Sequence, residues 1–365
     1  MTDLSRLHPS AIAASVQNGS TSAVGVIEDT LARLEAYDAI QPQIWISRYA
    51  PDELLEAARG VDARIASGEN LPLAGVPFAV KDNIDVKGLE TTAACPAFAS
   101  APTDNAPVVA HLLAAGAICI GKTNLDQFAT GLVGTRSPYG IPANAYNRAF
   151  VSGGSSSGSA VAVAVGLVGF ALGTDTAGSG RVPAAFNHLI GVKPTKGRWS
   201  TSGLVPACRT LDCITVFTDR IEDARLVDQV VAGFDESDPY SRALENHAMT
   251  PKRIGVPKPS QRTFFGDAAS EYFYDKALEL LSQSAELVEL DITFLDEAAT
   301  LLYNGPWVAE RTAAIEDLLV HQPDAIDPTV REVVEPGLSI GAVEAFRGAY
   351  RMAEYKRQAD LMWES

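Results

Sequence analysis

The chain has 365 residues, a hydrophobic fraction of 47% and a formal net charge of −16. Its length and apolar content suffice for a large buried core, and the strong negative charge argues against nucleic acid as a partner. No apolar stretch is long enough for a membrane span, and the N-terminus lacks an apolar signal core, so no membrane partner is expected.

Hydrophobic periodicity predicts strands that alternate with helices. We expect helices over 3–17, 21–38, 51–67, 158–168, 220–234, 268–282 and 340–363, and one more that begins near Pro107. We expect strands over 43–47, 117–120, 169–173, 253–257 and 286–292. This alternation favours an α/β fold with a mixed, largely parallel β-sheet covered by helices on both faces.

A lysine ends one apolar segment. Residues 73–80 are apolar, and Lys81 follows them directly. A lysine at the tip of a buried strand is desolvated, which lowers its pKa toward neutrality and lets it act as a base. None of the five histidines lies in polar, glycine-rich surroundings. Lys81 is therefore the candidate general base.

Two glycine- and serine-rich segments, 153–159 and 175–181, flank an apolar run of small residues over 160–173. Their backbone N–H groups sit at the ends of buried elements and can face a ligand. A flexible linker would not flank such a run. The Walker phosphate loop needs a lysine that is absent here, and Ser179 lacks the outer glycines of a nucleophile elbow. A serine nucleophile with a lysine base remains.

The motifs around Lys81, Ser155 and Ser179 resemble, in order and spacing, those of the amidase signature family. The resemblance covers nearly the whole chain and is strongest over 76–206. It implies the amidase signature fold and a Ser–cis-Ser–Lys triad. In this triad Ser179 is the nucleophile, Ser155 follows a cis peptide bond, and no metal or organic cofactor takes part. The implied oxyanion-hole donors are the N–H groups of Thr176, Ala177, Gly178 and Ser179.

The resemblance also assigns residues around the triad. The loop over 128–140 would be a structural turn on residue types alone, but the family's loop in this place lines the substrate cleft, with Gly131 as a contact. Arg136 in this loop is open to two interpretations, a surface charge or a cleft residue. Three further residues match the signature and are expected to brace the loops: Ser159, Asp175 and Arg181.

Tyr303 and Arg311 indicate a class of substrate. From their spacing alone they would be surface residues, but the stretch 302–311 resembles the allophanate hydrolase branch of the family. In that branch a tyrosine and an arginine with the same separation grip the substrate's carboxylate. A planar guanidinium can pair with a carboxylate through two parallel hydrogen bonds. The implied activity is hydrolysis of the linear C–N bond of allophanate, in urea or s-triazine nitrogen catabolism.

Other interpretations stay open. The A-type chain of a glutamyl-tRNA amidotransferase would use the same triad but depend on partner subunits, and a general amidase would accept other amides. A truncated homologue could serve only as an assembly module. The family normally continues beyond Ser365, so 1–365 is expected to be one amidase signature domain without its C-terminal end and without a second domain. The resemblance also suggests a homodimer, and four cysteines without zinc-ligand spacing suggest a cytoplasmic protein.

Overall fold

The computed structural model describes residues 7–244 and 250–364. The chain divides into two compact units, the first comprising Met1–Leu244 and Glu310–Glu335, the second Glu245–Ala309 and Pro336–Ser365. Each unit contains strands and helices, so each is α/β. None of the helices in this described part combines the length and apolar character that a membrane span requires.

The first unit is built on a six-stranded sheet. Its strands are β1 (Trp45–Arg48), β2 (Pro77–Lys81), β3 (Ile118–Thr123), β4 (Phe170–Thr174), β5 (Ile190–Val192) and β6 (Ile214–Thr218). They lie in the order β1-β3-β2-β4-β6-β5. Strand β2 pairs in parallel with β3 and β4, and the outer pairings are antiparallel. The predicted mixed sheet is confirmed, with its parallel pairing in the centre.

Helices cover both faces of this sheet, as predicted. The first unit contains α1 (Pro9–Gln17), α2 (Ala23–Asp38), α3 (Pro51–Ala66), α4 (Pro107–Ala114), α5 (Ser157–Ala164), α6 (Arg181–Phe186), α7 (Ile221–Val231), α11 (Glu316–His321) and α12 (Pro328–Val334). Strand β2 shows the two faces, because Phe78 and Val80 pack with α4 and α7 whereas Ala79 packs with α2, α3 and α5. Burial on both faces explains its continuous apolar sequence.

The second unit contains a two-stranded parallel sheet. Its elements are β7 (Arg253–Pro257), α8 (Ala268–Leu281), β8 (Glu286–Leu290), α9 (Thr293–Asn304) and α13 (Ala342–Glu364). Parallel strands need a crossover, which α8 provides, and the Asp267 side chain caps this helix by accepting from two backbone N–H groups. Helix α13 packs on α9, where Tyr355 donates to Glu297 at 3.0 Å. One further helix, α10 (Trp307–Ala313), contains residues of both units.

Several predicted boundaries differ from the structure. Helix α5 ends at Ala164 instead of residue 168 because Gly166 adopts a φ of 70°, a left-handed conformation that terminates helices. Helix α1 begins at Pro9, and residues 3–6 of the predicted helix lie outside the described residues. Strands β5 and β6 were not predicted from sequence, because runs of three to five residues carry too little periodicity to be recognised.

Candidate active site

Lys81 and Thr174 lie at one edge of the sheet, because β2 and β4 run parallel and both end there. The Lys81 Nζ atom lies 2.6 Å from Thr174 Oγ1 and 2.8 Å from Ser155 Oγ. All three side chains are buried, and Lys81 has no exposed surface. The structure therefore brings together the predicted lysine and the predicted cis serine.

The surroundings of Lys81 favour its neutral form. Burial lowers the pKa of Lys81 to about 7, although the carboxylates of Asp126, Asp212 and Asp175 act in the opposite direction. Desolvation outweighs these carboxylates because none of them reaches ion-pair distance of Nζ among the described residues. The prediction of a desolvated lysine with a lowered pKa is confirmed. A neutral amine has a lone pair and can accept a proton.

The loop before α5 carries Ser155. The Gly154–Ser155 peptide bond is cis, as the resemblance implied. Glycine is needed at position 154, since a Cβ there would lie 2.1 Å from a carboxylate oxygen of Asp126. The Asp126 N–H in turn donates to the Ser155 carbonyl at 3.0 Å. Asp126 thus fixes the backbone on both sides of the serine.

Ser179 precedes α6 and is 4% exposed. Its hydroxyl donates to the Gly131 carbonyl at 3.5 Å, and its own carbonyl accepts the Ser156 N–H at 3.3 Å. The second bond places the two serine segments side by side. Within the described residues, the hydroxyl groups of Ser155 and Ser179 are not hydrogen-bonded to each other. Of the three predicted triad residues, two are in direct contact and the third lies in the adjoining loop.

Asp175 and Arg181 brace the loop that carries Ser179, as predicted. The Arg181 Nε and Nη2 atoms donate to the two Asp175 carboxylate oxygens at 2.8 and 2.9 Å. Asp175 also accepts backbone N–H groups of this loop, those of Gly178, Gly180 and Arg181. Although burial opposes ionisation, these donors keep the pKa of Asp175 below its usual value. Ser159, the third predicted brace, donates to the Leu172 carbonyl at 2.9 Å.

The expected oxyanion donors are not equivalent. The Gly178 N–H donates to Asp175 at 2.6 Å, so it is occupied in this structure. The N–H groups of Thr176, Ala177 and Ser179 have no acceptor among residues 7–244 and 250–364. Backbone donors that already point into a site can stabilise a developing oxyanion. The geometry therefore narrows the expected set to these three groups.

Gly131 faces Ser179 from a separate loop. A side chain at this position would collide with Asp126, whose carboxylate oxygen would lie 2.6 Å from a Cβ. The guanidinium of Arg136 donates to the Thr130 carbonyl at 2.8 Å, next to Gly131. Arg136 is only partly buried, and its contact answers the question left open by the sequence. It braces the loop that carries the Gly131 carbonyl.

Arg311 belongs to the first unit, where it is 3% exposed. Its Nη1 atom donates to Thr130 Oγ1 at 3.2 Å. Burial raises the pKa of the Asp212 carboxyl, and the charge of Arg311 partly offsets that rise. A buried cation thus contacts the residue next to Gly131. Tyr303 lies on α9 of the second unit and is partly buried, and its predicted role at the site stays a prediction.

Cysteine chemistry does not compete with the serines. The four cysteines are free and buried, and burial raises the pKa of Cys119 and of Cys208 to about 12. Neither thiol is ionised at neutral pH, and the thiolate is the nucleophilic form. In the described part of the chain, no group of three or more His, Cys, Asp or Glu side chains is arranged to hold a metal ion.

Sequence reasoning missed three residues that shape the site. Thr174 holds Lys81, Asp126 holds the cis-serine loop, and Asp212 accepts the Thr176 hydroxyl. One signal was available for the first, since Thr174 is a polar residue at the end of an apolar strand, as Lys81 is. Asp126 and Asp212 lie in loops whose partners are distant in sequence, and no local pattern identifies them.

Comparison with known proteins gives the family. The sequence model of the family described as Amidase matches residues 26–364. The chain belongs to this family. The match includes both serine segments and the lysine, whose arrangement in space has the elements of a Ser–cis-Ser–Lys site.

Particular relatives narrow the comparison. The chain is 47% identical over 323 residues to urea amidolyase of Saccharomyces cerevisiae, covering 87% of this chain and 17% of that protein. The solved structure of Kluyveromyces lactis allophanate hydrolase superposes with a TM-score of 0.88 at 42% identity, covering 94% of this chain and 57% of that one. The A-type chain of the glutamyl-tRNA(Gln) amidotransferase of Lacticaseibacillus paracasei is 43% identical over 238 residues, covering 65% of this chain and 48% of that protein. The chain thus spans only part of each relative.

Proposed function

We propose that this chain hydrolyses allophanate, a small anionic linear amide, through an acyl-enzyme formed on Ser179. The observation that carries the proposal is a fully buried lysine whose Nζ lies 2.8 Å from Ser155 Oγ. A lysine with a pKa of about 7 is a base at neutral pH. The similarity to urea amidolyase and to allophanate hydrolase supports this choice of substrate.

The first step transfers two protons and forms one bond. Neutral Lys81 accepts the proton of the Ser155 hydroxyl, and Ser155 accepts the proton of Ser179. The Ser179 oxygen then attacks the amide carbon. In the structure the Ser179 hydroxyl faces the Gly131 carbonyl, so it rotates toward Ser155 when the proton leaves. The N–H groups of Thr176, Ala177 and Ser179 stabilise the oxyanion.

The second step breaks the C–N bond. The amide nitrogen leaves as ammonia after Ser155 returns a proton that Lys81 supplies. Water then attacks the ester carbon and passes a proton back through Ser155, which releases Ser179 and N-carboxycarbamate. The same residues act first as base and then as acid, and a group with a pKa near the working pH can do both.

The substrate is selected by its carboxylate. Arg311 is a buried cation next to the loop that faces Ser179. The chain's charge of −16 repels small anions in general, so a local cation is required to hold one. We propose that Arg311, together with Tyr303, binds the carboxylate of allophanate while Gly131 contacts the amide.

Ammonia release from allophanate by the purified chain tests this proposal. The Ser179→Ala variant should release no ammonia above background, whereas its free energy of unfolding should change by less than about 1 kcal/mol, as is usual when no buried partner is lost. Ser202→Ala, a loop serine outside the site, is the matched control and should keep full activity. Ammonia release by Ser179→Ala at near-normal rate would refute the assignment.

The A-type chain of a glutamyl-tRNA amidotransferase is the second candidate, because relatives with this name share 43% identity over 65% of the chain. Such a chain would hydrolyse glutamine and require partner subunits. A glutaminase assay beside the allophanate assay distinguishes the two. Ammonia from glutamine, together with co-purifying subunits, would favour the amidotransferase.

Two further expectations concern the protein outside its site. We propose a cytoplasmic homodimer whose four cysteines stay reduced, in keeping with their free, buried thiols. Sedimentation analysis of the purified chain would give its mass, and a single species of monomer mass would refute the dimer. We also propose that 1–365 forms one amidase signature domain that lacks its C-terminal end. A longer form that is more stable to urea would support this last point.

A further inference from the structure

The loop from Gln127 to Gly131 has an unusual backbone. Phe128 and Ala129 are consecutive non-glycine residues with φ values of 52° and 53°. Such left-handed residues cost on the order of 1–3 kcal/mol each and persist only where the surroundings impose them. They occur preferentially at ligand-binding sites. This loop is therefore held in a shape that its own sequence does not favour.

Gln127 is the main restraint on the loop. Its side-chain amide donates to the carbonyls of Ala94 and Ala325 at 3.1 and 3.3 Å, and its side-chain oxygen accepts the Asp327 N–H at 2.6 Å. The Phe128 N–H donates to the Ala93 carbonyl at 3.0 Å. All these partners lie in the first unit. The loop is fixed before any substrate arrives.

The strained turn determines where the Thr130 hydroxyl points. Thr130 is 1% exposed, and its Oγ1 donates to the Phe128 carbonyl at 3.2 Å. Since a hydroxyl has one hydrogen and two acceptor positions, the remaining lone pairs face Arg311 Nη1 at 3.2 Å. The Thr130 carbonyl is held separately by Arg136 at 2.8 Å. Both ends of the residue are thus fixed.

We propose that Thr130 is a positioning residue that aligns the Arg311 guanidinium with the carboxylate of the substrate. The proposal rests on the proposed function, since it assumes that Arg311 meets an anionic amide. Thr130 touches Arg311, and the next residue, Gly131, touches Ser179. One backbone step, about 3.8 Å between Cα atoms, therefore links the site of the cation to the site of the nucleophile.

This link also defines a class of substrate. In a short amide that carries its carboxylate one atom away from the amide carbon, the two groups are as close as two neighbouring residues of the loop. A longer ω-amido acid would place its carboxylate beyond the guanidinium that Thr130 holds. Thr130 is thus a determinant of specificity for charge and for length, and it takes no part in proton transfer.

Binding of two matched ligands tests the proposal. Malonamate carries a carboxylate, whereas malonamide is the neutral amide of the same size. Their dissociation constants are measured by calorimetry in the Ser179→Ala background, where neither is hydrolysed. Thr130→Val removes the hydroxyl at nearly constant volume and should weaken malonamate about tenfold, as expected when a hydrogen bond that involves a charged group is lost. Malonamide binding should change less than about twofold, within the scatter of neutral contacts.

Three controls make the result specific. Thr130→Ser keeps the hydroxyl and should bind malonamate as the parent does. Thr218→Val removes a comparable buried hydroxyl, which donates to the Arg220 carbonyl at 2.8 Å, and should leave both ligands unaffected. It lies at the opposite end of the sheet, since Thr174 pairs with Ile214 where β6 begins. Adding Thr130→Val to Arg311→Met should weaken malonamate no further, because Thr130 acts through Arg311.

The outcomes separate this proposal from the proposed function. Equal weakening of malonamate and malonamide by Thr130→Val, no weakening of either, or full additivity with Arg311→Met would each overturn the role of Thr130. If the unmodified chain releases no ammonia from allophanate while the malonamate preference depends on the Thr130 hydroxyl, the substrate is wrong and the positioning role stands.

Discussion

The ends of β2 and β3 each bury a lysine, but the surroundings of the two lysines are opposite. Lys122 forms an ion pair with Asp82 at 3.1 Å, with both side chains fully buried. Lys81, also fully buried, contacts the hydroxyls of Ser155 and Thr174. Its nearest carboxylates act only through space, and its pKa falls to about 7.

The difference shows how neighbouring strands of one sheet separate structure from chemistry. A buried lysine with a contacting carboxylate keeps its proton and holds two segments together, and Lys122 also donates to the Thr91 hydroxyl at 3.0 Å. A buried lysine with hydroxyl partners can lose its proton at neutral pH and becomes a base. The partner, and not the burial, determines which role follows.

The largest expected effect is on catalysis. Lys81→Met and Lys81→Arg should both lower kcat for allophanate by roughly 10³-fold or more, since the first has no base and the second has a guanidinium that cannot be deprotonated. Ammonia release under saturating substrate measures this loss. Activity within tenfold of the unmodified chain in the arginine variant would reduce Lys81 to an electrostatic role.

The second effect is on stability, and it should have the opposite distribution. Lys122→Met leaves the buried Asp82 carboxylate without its partner, which should cost about 3–5 kcal/mol in the free energy of unfolding. Lys81→Met leaves no charge behind and should be neutral or stabilising. Urea denaturation of both variants at one pH gives the comparison, and equal destabilisation of the two would show that Lys81 also has a structural role.

The pH dependence should carry the same signature. Neutral Lys81 is the active form, so kcat/KM should rise with pH through about 7 and fall about tenfold for each unit below it. The folded-state pKa is lower than the unfolded one of about 10.4, so the unfolded chain binds more protons between these values. The contribution of Lys81 to stability therefore increases with pH over that range. A flat activity profile from pH 5 to 9 would contradict the assignment of the base.

The smallest expected effect concerns the carboxylates around Lys81. Asp126 raises the pKa of Lys81, so Asp126→Asn should move the acid limb of the profile to lower pH, by less than about tenfold in rate at any one pH. The amide oxygen can still accept from the Gly134 N–H, which lies at 3.0 Å. Asp238→Asn, remote from Lys81 in its contacts with Thr201 and Tyr240, is the control. A shift to higher pH would have the wrong sign.

Much of the fold and of the site could be predicted from the sequence. The apolar run before Lys81 predicted a buried strand and a desolvated lysine, and both are confirmed. The helices and strands with strong periodicity were found, whereas β5 and β6 were not. The cis bond before Ser155 came only from the resemblance to a family.

What the sequence by itself determined are the properties that neighbours along the chain impose: the burial of a strand, the lysine at its end and the glycines that leave room for Asp126. The tertiary structure decided which lysine meets a carboxylate, that the Gly178 N–H is occupied by Asp175, and that Arg311 rests on Thr130. The physical reason is distance along the chain. Lys81 and Ser155 are 74 residues apart, and Thr130 and Arg311 are 181 apart, so their contacts exist only once the sheet has formed and its loops have packed.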